Sequence, residues 1–285
     1  MPGGFPSAGG GAVYSNVGAA TGTSTGTQVA PGSAGGGVFG SWTQLISSTA
    51  VDAIGFFVTL LGNNPSAGTN YCSGVQIGIG ASGSEIAITP PLLVMGGFGT
   101  TSAQSTTYFC PLAVPAGTRI SAQAASSGSS GTAVSVSLTL ADGSWGEPGG
   151  YALLTAYGIT SGITGQSIDA GGTANTKGSW TQLASSTAYD IEGFFICWSN
   201  AGFTAQASAS EFLVDVGVGA SGSEVVILPN LSLADAYGNT TNALSGPNHI
   251  FWRKIPAGTR LAARCQCGAT SAAARKPGLI LIGIT

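Results

Sequence analysis

Gly78-Ile79-Gly80-Ala81-Ser82-Gly83-Ser84-Glu85 and Gly217-Val218-Gly219-Ala220-Ser221-Gly222-Ser223-Glu224 are near-copies of one stretch. Each has the G-x-G-x-x-G spacing of a dinucleotide-binding turn. In that fold the third glycine opens a helix whose N-terminus holds the pyrophosphate. Here Gly83 leads into Ser84-Glu85-Ile86-Ala87-Ile88-Thr89-Pro90-Pro91, and Gly222 into Ser223-Glu224-Val225-Val226-Ile227-Leu228-Pro229. The first alternates with period two, and both run into proline, which a helix interior does not accept. No acidic residue stands at the ribose-binding distance beyond Gly83. Both stretches therefore read as corners between strands, where glycine supplies positive φ. Nucleotide binding is not expected.

The duplication extends well beyond these corners. Gly40-Ser41-Trp42-Thr43-Gln44-Leu45 returns as Gly178-Ser179-Trp180-Thr181-Gln182-Leu183, and Ser47-Ser48-Thr49-Ala50 as Ser185-Ser186-Thr187-Ala188. Gly55-Phe56-Phe57 returns as Gly193-Phe194-Phe195, and Pro115-Ala116-Gly117-Thr118-Arg119 as Pro256-Ala257-Gly258-Thr259-Arg260. The connectors match more loosely: Gly149-Gly150-Tyr151-Ala152-Leu153 lies on Gly10-Gly11-Ala12-Val13-Tyr14, and Ile168 on Val29. So long a repeat means two copies of one globular fold rather than a solenoid. Each copy offers about seven or eight short strands bounded by Gly, Pro, Asn and Ser, and no stretch has a helical period. The expected fold is all-β: two tandem antiparallel β-sandwich, jelly-roll-like domains from an internal duplication, with an extended Gly-rich N-terminal arm. The expected boundaries are an arm over 1–39, a first sandwich over 40–145, a linker over 146–177 that is the arm of the second repeat, and a second sandwich over 178–285.

Composition narrows the role. Of 285 residues only 7% are charged, 43% are hydrophobic and 47 are glycine. That hydrophobic share supports a folded chain despite its disordered-looking connectors. No run approaches eighteen apolar residues, so no membrane-spanning segment is expected. The N-terminus has neither the basic start nor the apolar core of a secretory signal. Net charge is −3. The basic residues cluster late, at Arg253, Lys254, Arg260, Arg264, Arg275 and Lys276, too thinly for a nucleic-acid surface. The uncharged stretch 1–39 cannot bury enough surface to fold alone. It is expected to lie along its own domains or along neighbouring subunits. Gly22-Thr23-Ser24-Thr25-Gly26 within it has nucleophile-elbow spacing, but without the required strand and helix.

Candidate chemistry is sparse. Five cysteines, Cys72, Cys110, Cys197, Cys265 and Cys267, are an odd count that argues against a disulfide framework. One histidine, His249, and no paired C-x-x-C leave no metal site to expect. Asn248 and Trp252 stand near His249, but no nucleophile accompanies it. Three charges recur in both copies: Asp52 with Asp190, Glu85 with Glu224, and Arg119 with Arg260. In a chain this poor in charge they are the candidates for a structural Arg–carboxylate pair within each domain. Trp42 and Trp180, beside Ser, Thr and Gln, are expected in the core; the sharper alternative is a glycan-stacking platform. No catalytic residue, cofactor or metal is expected.

The Gly-Ser-Trp-Thr-Gln-Leu opening, the Gly-Ala-Ser-Gly-Ser-Glu corner and the Pro-Ala-Gly-Thr-Arg turn resemble features of small β-sandwich virion proteins of tailed bacteriophages. The likeness covers both repeats, roughly 40–140 and 178–285. It implies a non-enzymatic virion structural protein, a capsid decoration protein, head fibre or tail component, assembled in the host cytoplasm. Its partners would be other virion subunits. A homo-oligomer is expected, and a trimer would present six similar domains to a hexameric capsomer. The alternative is a carbohydrate-binding head-fibre or tail adhesin module that contacts the host surface.

Overall fold

The computed structural model describes residues 14–17, 26–32, 37–62, 71–96, 104–127, 133–142, 149–199, 210–236, 243–245, 248–268 and 276–285. Among them there are twenty strands and no helix. The first repeat contributes β1 (Tyr14–Val17), β2 (Thr27–Val29), β3 (Thr43–Ile46), β4 (Gly55–Gly62) and β5 (Tyr71–Ile79). It continues with β6 (Ile86–Ala87), β7 (Leu92–Gly96), β8 (Gln104–Cys110), β9 (Ile120–Ser126) and β10 (Val134–Ala141). The second contributes β11 (Leu154–Tyr157), β12 (Ile159–Ser161), β13 (Thr164–Ser167), β14 (Thr181–Ala184) and β15 (Gly193–Ser199). It ends with β16 (Ser210–Val218), β17 (Val225–Ala236), β18 (Ala243–Ser245), β19 (Leu261–Cys267) and β20 (Gly278–Ile284).

All ladders between these strands are antiparallel. In the first repeat β1 and β2 share one edge of β10, followed by β4 and β8; the facing sheet runs β3-β9-β5, with β6 and β7 both on the far edge of β5. Counting β1 with β2 and β6 with β7 as single positions, the order is first-eighth-third-sixth over second-seventh-fourth-fifth. That is the strand order of a jelly roll. The second repeat gives the same order apart from its sixth position, with β11 and β13 on β20, then β15, over β14-β19-β16-β17, and β18 added on the edge of β17. Where the first repeat has β8 against β4, the described part of the second has a single bridge, Phe194 to Phe251.

The stretches expected as arm and linker are therefore partly built into the sandwiches. Residues 14–17 and 27–29 pair with β10, and 154–157 and 164–167 with β20. Val29 and Ile168 are both fully buried, which anchors these glycine-rich segments to each core. Residues 1–13, 18–25 and 33–36, including Gly22-Thr23-Ser24-Thr25, lie outside the described residues.

Strand patterning explains how the repeats meet. In β4, Phe56, Val58 and Leu60 are buried while Phe57, Thr59 and Leu61 face outward, the alternation of a sheet with one open face. In β15 every residue is buried. Its Phe195, Cys197 and Ser199 hold the outward positions; Tyr108 and Leu93 of the first repeat cover Phe195 and Cys197, and the Gly165 N–H of β13 donates to Ser199 Oγ at 3.0 Å. Tyr108 of β8 packs on Phe195 with ring centroids 5.8 Å apart and donates to the Leu93 carbonyl at 2.6 Å. Strand β7 runs against β15 and β18.

The β12–β13 hairpin adds a clasp. Ile163 at its tip is buried against Gly74 on the outer face of β5, where any Cβ would collide with the isoleucine side chain. At Gly162 a Cβ would stand 2.6 Å from the Gly37 carbonyl oxygen, so the two backbones touch. One apolar core thus runs through both sandwiches.

Candidate functional site

The motifs that repeat between the copies converge on a latch at one end of each sandwich. Arg119 follows the 115–118 turn, in which Gly117 takes φ 81°. Its Nη1 donates to Glu85 Oε1 at 2.8 Å and to the Gly80 carbonyl at 3.1 Å, and its Nε donates to Gln44 Oε1 at 2.9 Å. Glu85 Oε2 accepts the Gly83 N–H at 2.8 Å. In the second copy Arg260 repeats this set with Glu224, Gly219 and Gln182 at 2.8, 3.2 and 3.0 Å, and Gly222 N–H donates to Glu224 at 2.9 Å. Each copy thus has an Arg–carboxylate pair made through one prong of the guanidinium, while the other prong goes to a glutamine. Burial pushes each glutamate carboxyl up, but the arginine and the backbone N–H groups outweigh it and hold both below the usual range.

Asp52 and Asp190 are not partners of these arginines. Each accepts a backbone N–H of the turn, Ala116 and Ala257, at 2.7 Å. The short aspartate side chain sits across the turn from the arginine and satisfies an amide there. The repeated Ser-Ser-Thr-Ala loop completes the latch. Thr49 Oγ1 donates to the Pro115 carbonyl at 2.8 Å, and Thr187 Oγ1 to that of Pro256 at 2.9 Å.

Trp42 and Trp180 lie across the outer faces of their sheets. A Cβ on Gly78 would stand 2.6 Å from Trp42 Cη2, and one on Gly217 the same distance from Trp180 Cη2. Both indoles are half-buried, and Arg264 stacks over Trp180 with its Cζ 4.6 Å from the ring centroid.

Beyond the latch the copies differ. Where the first has the cross-strand amide pair Gln76–Gln123 at 2.8 Å, the second has Asp215–Arg264 at 2.9 Å. Lys177 joins Asp215 at 2.7 Å, and the Asn230 N–H donates to it at 2.9 Å. Asp215 is only 3% exposed. Burial raises its carboxyl, and Lys177, the Asn230 amide and Arg264 bring it below the usual range. The network carries one net positive charge.

A groove of about 510 Å³ opens between the repeats, lined by Phe57, Thr107 and Phe109 from the first and Asn248, His249, Ile250 and Trp252 from the second. Asn248 Nδ2 donates to the Thr107 carbonyl at 2.7 Å and ties the two walls together. The sequence groups Asn248, His249 and Trp252 but does not join Phe57 and Phe109 to them, since those come from distant strands. The signal available was that β4 places a phenylalanine on its outward face.

All five thiols are free and buried. Burial lifts Cys197 and Cys265 to about 12 and Cys110 higher still. Among the described residues no group of His, Cys, Asp and Glu could hold a metal ion.

No family model matches the chain, and neither does any curated protein. Among solved structures it is similar to one described as "Structure of PNGF-II in C2 space group", at 9% identity with a TM-score of 0.39. The match covers 96% of this chain and 65% of that one. A likeness at that level bears on neither fold nor function.

Proposed function

We propose that the chain is a non-enzymatic structural protein of a tailed-bacteriophage virion that decorates or stabilises the capsid through subunit contacts. One observation carries this reading. The two copies expose the same β-branched position beside the corner: Ile86 is 71% exposed and Val225 64%. Both lie where, among the described strands, the outer side of the strand after the corner has no partner, at β6 and the start of β17. Exposed apolar residues on sheet edges invite pairing with another chain. Two such edges on one continuous core suit a repeated contact with a quasi-symmetric lattice. Jelly rolls serve viral capsids and lectins alike, so the fold alone does not choose between them. Homo-oligomerisation and virion localisation belong to the same proposal, with assembly in the host cytoplasm and coat or tail proteins as partners. The alternative reading, a glycan-binding adhesin, has the groove in its favour.

Immunogold electron microscopy of purified phage particles, with antibody to this chain, tests the proposal. Regular labelling of the particle is expected. An Ile86→Lys, Val225→Lys variant should keep its circular dichroism spectrum and lose particle binding. A chain present in lysates but missing from particles would overturn the reading.

A further inference from the structure

We propose that the groove between the repeats is a binding site for a neutral saccharide about the size of a disaccharide. This rests on the glycan-recognition reading and is independent of the capsid one. The volume, about 510 Å³, lies within the range of small-molecule sites. Its floor is the Phe57–Phe109 pair, with ring centroids 4.8 Å apart at 36°. Its wall is Trp252, 42% exposed yet held in place. The indole packs on Gly193, where a Cβ would stand 2.7 Å from Cε3, and stacks on Tyr151 at 6.1 Å. A rigid, half-open indole costs little entropy when a ligand stacks on it.

Among the described residues, those of the lining include no Asp, Glu, Lys or Arg to pair with a charged ligand. They do include the Asn248 amide, the exposed His249 imidazole and the Thr107 hydroxyl. Aromatic faces for C–H surfaces beside neutral donors and acceptors for hydroxyls match a sugar. Asn248 Nδ2 is held by the Thr107 carbonyl and the Thr107 hydroxyl pairs with Thr59 at 3.0 Å, which fixes both groups and leaves the Asn248 carbonyl oxygen and the His249 ring nitrogens for sugar hydroxyls.

The duplication supplies an internal control. Cys110 and Phe251 hold the same place opposite Phe56 and Phe194, so Trp252 corresponds to Pro111. The fold accepts a proline there, and the exposed indole is not a structural requirement.

The test uses the whole chain, with saturation-transfer NMR and tryptophan fluorescence. The probes are maltose, cellobiose, lactose and chitobiose, with sialyllactose as the charged comparison. We expect saturable binding of at least one neutral disaccharide in preference to sialyllactose. Trp252→Ala should weaken it about tenfold or more, and so should the surface variant His249→Ala. Trp180→Phe should leave it unchanged. Circular dichroism of each variant separates lost binding from lost folding. Binding that survives both Trp252→Ala and His249→Ala would refute the groove while leaving glycan recognition standing. Absence of binding to every probe would overturn both.

Discussion

Asp215 shows at the level of single residues what the duplication can teach. The same sheet position holds a glutamine in the first copy and a buried carboxylate between two cations in the second. Removing one member of a buried ionic set leaves the others uncompensated, whereas replacing the whole set can be neutral. Asp215→Gln should therefore destabilise the protein by about 2 kcal/mol, because both cations keep partial access to water. Adding Arg264→Gln and Lys177→Phe, the residues of the first copy, should recover most of that loss in urea midpoints. The carboxyls of Glu85, Glu224 and Asp215 are all held below their usual range. A carboxyl lowered in the folded state contributes stability above its unfolded value, about pH 4, and loses it as pH falls through the folded value. Stability should fall on acidification below about pH 4, and the triple variant should show a shallower decline.

Among the elements, the β12–β13 hairpin has the most consequence and was the least legible. Few charges recur in the sequence, so the members of the Glu85–Arg119 and Glu224–Arg260 pairs could be read from it, though with Asp52 and Asp190 beside them as further candidates. The corner glycines were equally plain, because strands flank them on both sides. The clasp was not, since its socket is an absence: Gly74 matters for the side chain it lacks, and Ile163 sits in a stretch that reads as linker. The second copy has Leu213 at the place of Gly74, so the socket occurs once among the described residues. Asp52 and Asp190 were recognisable as special but not as turn caps, because a backbone amide partner leaves no mark in sequence. Ile163→Ala should cost about 2–4 kcal/mol. Gly74→Leu should unseat the hairpin, seen as faster amide exchange over 159–167 and faster alkylation of Cys197, whose thiol is otherwise buried in the seam. Unchanged exchange in Gly74→Leu would show that the hairpin is held elsewhere.

For the whole molecule, the seam turns two jelly rolls into one body. Tyr108, Leu93, Phe195 and Cys197 belong to a core that does not stop at the repeat boundary. Both the matched edges at Ile86 and Val225 and the groove at Trp252 depend on that, since a mobile joint would present neither at a fixed spacing. Tandem domains with a small polar interface unfold separately, whereas a shared apolar core couples them. Equilibrium urea unfolding with peptide-resolved hydrogen exchange measures this coupling directly. One transition is predicted, with amides of β5, β7 and β15 exchanging through the same global opening. Two separated transitions, with β15 opening while β5 stays protected, would contradict it.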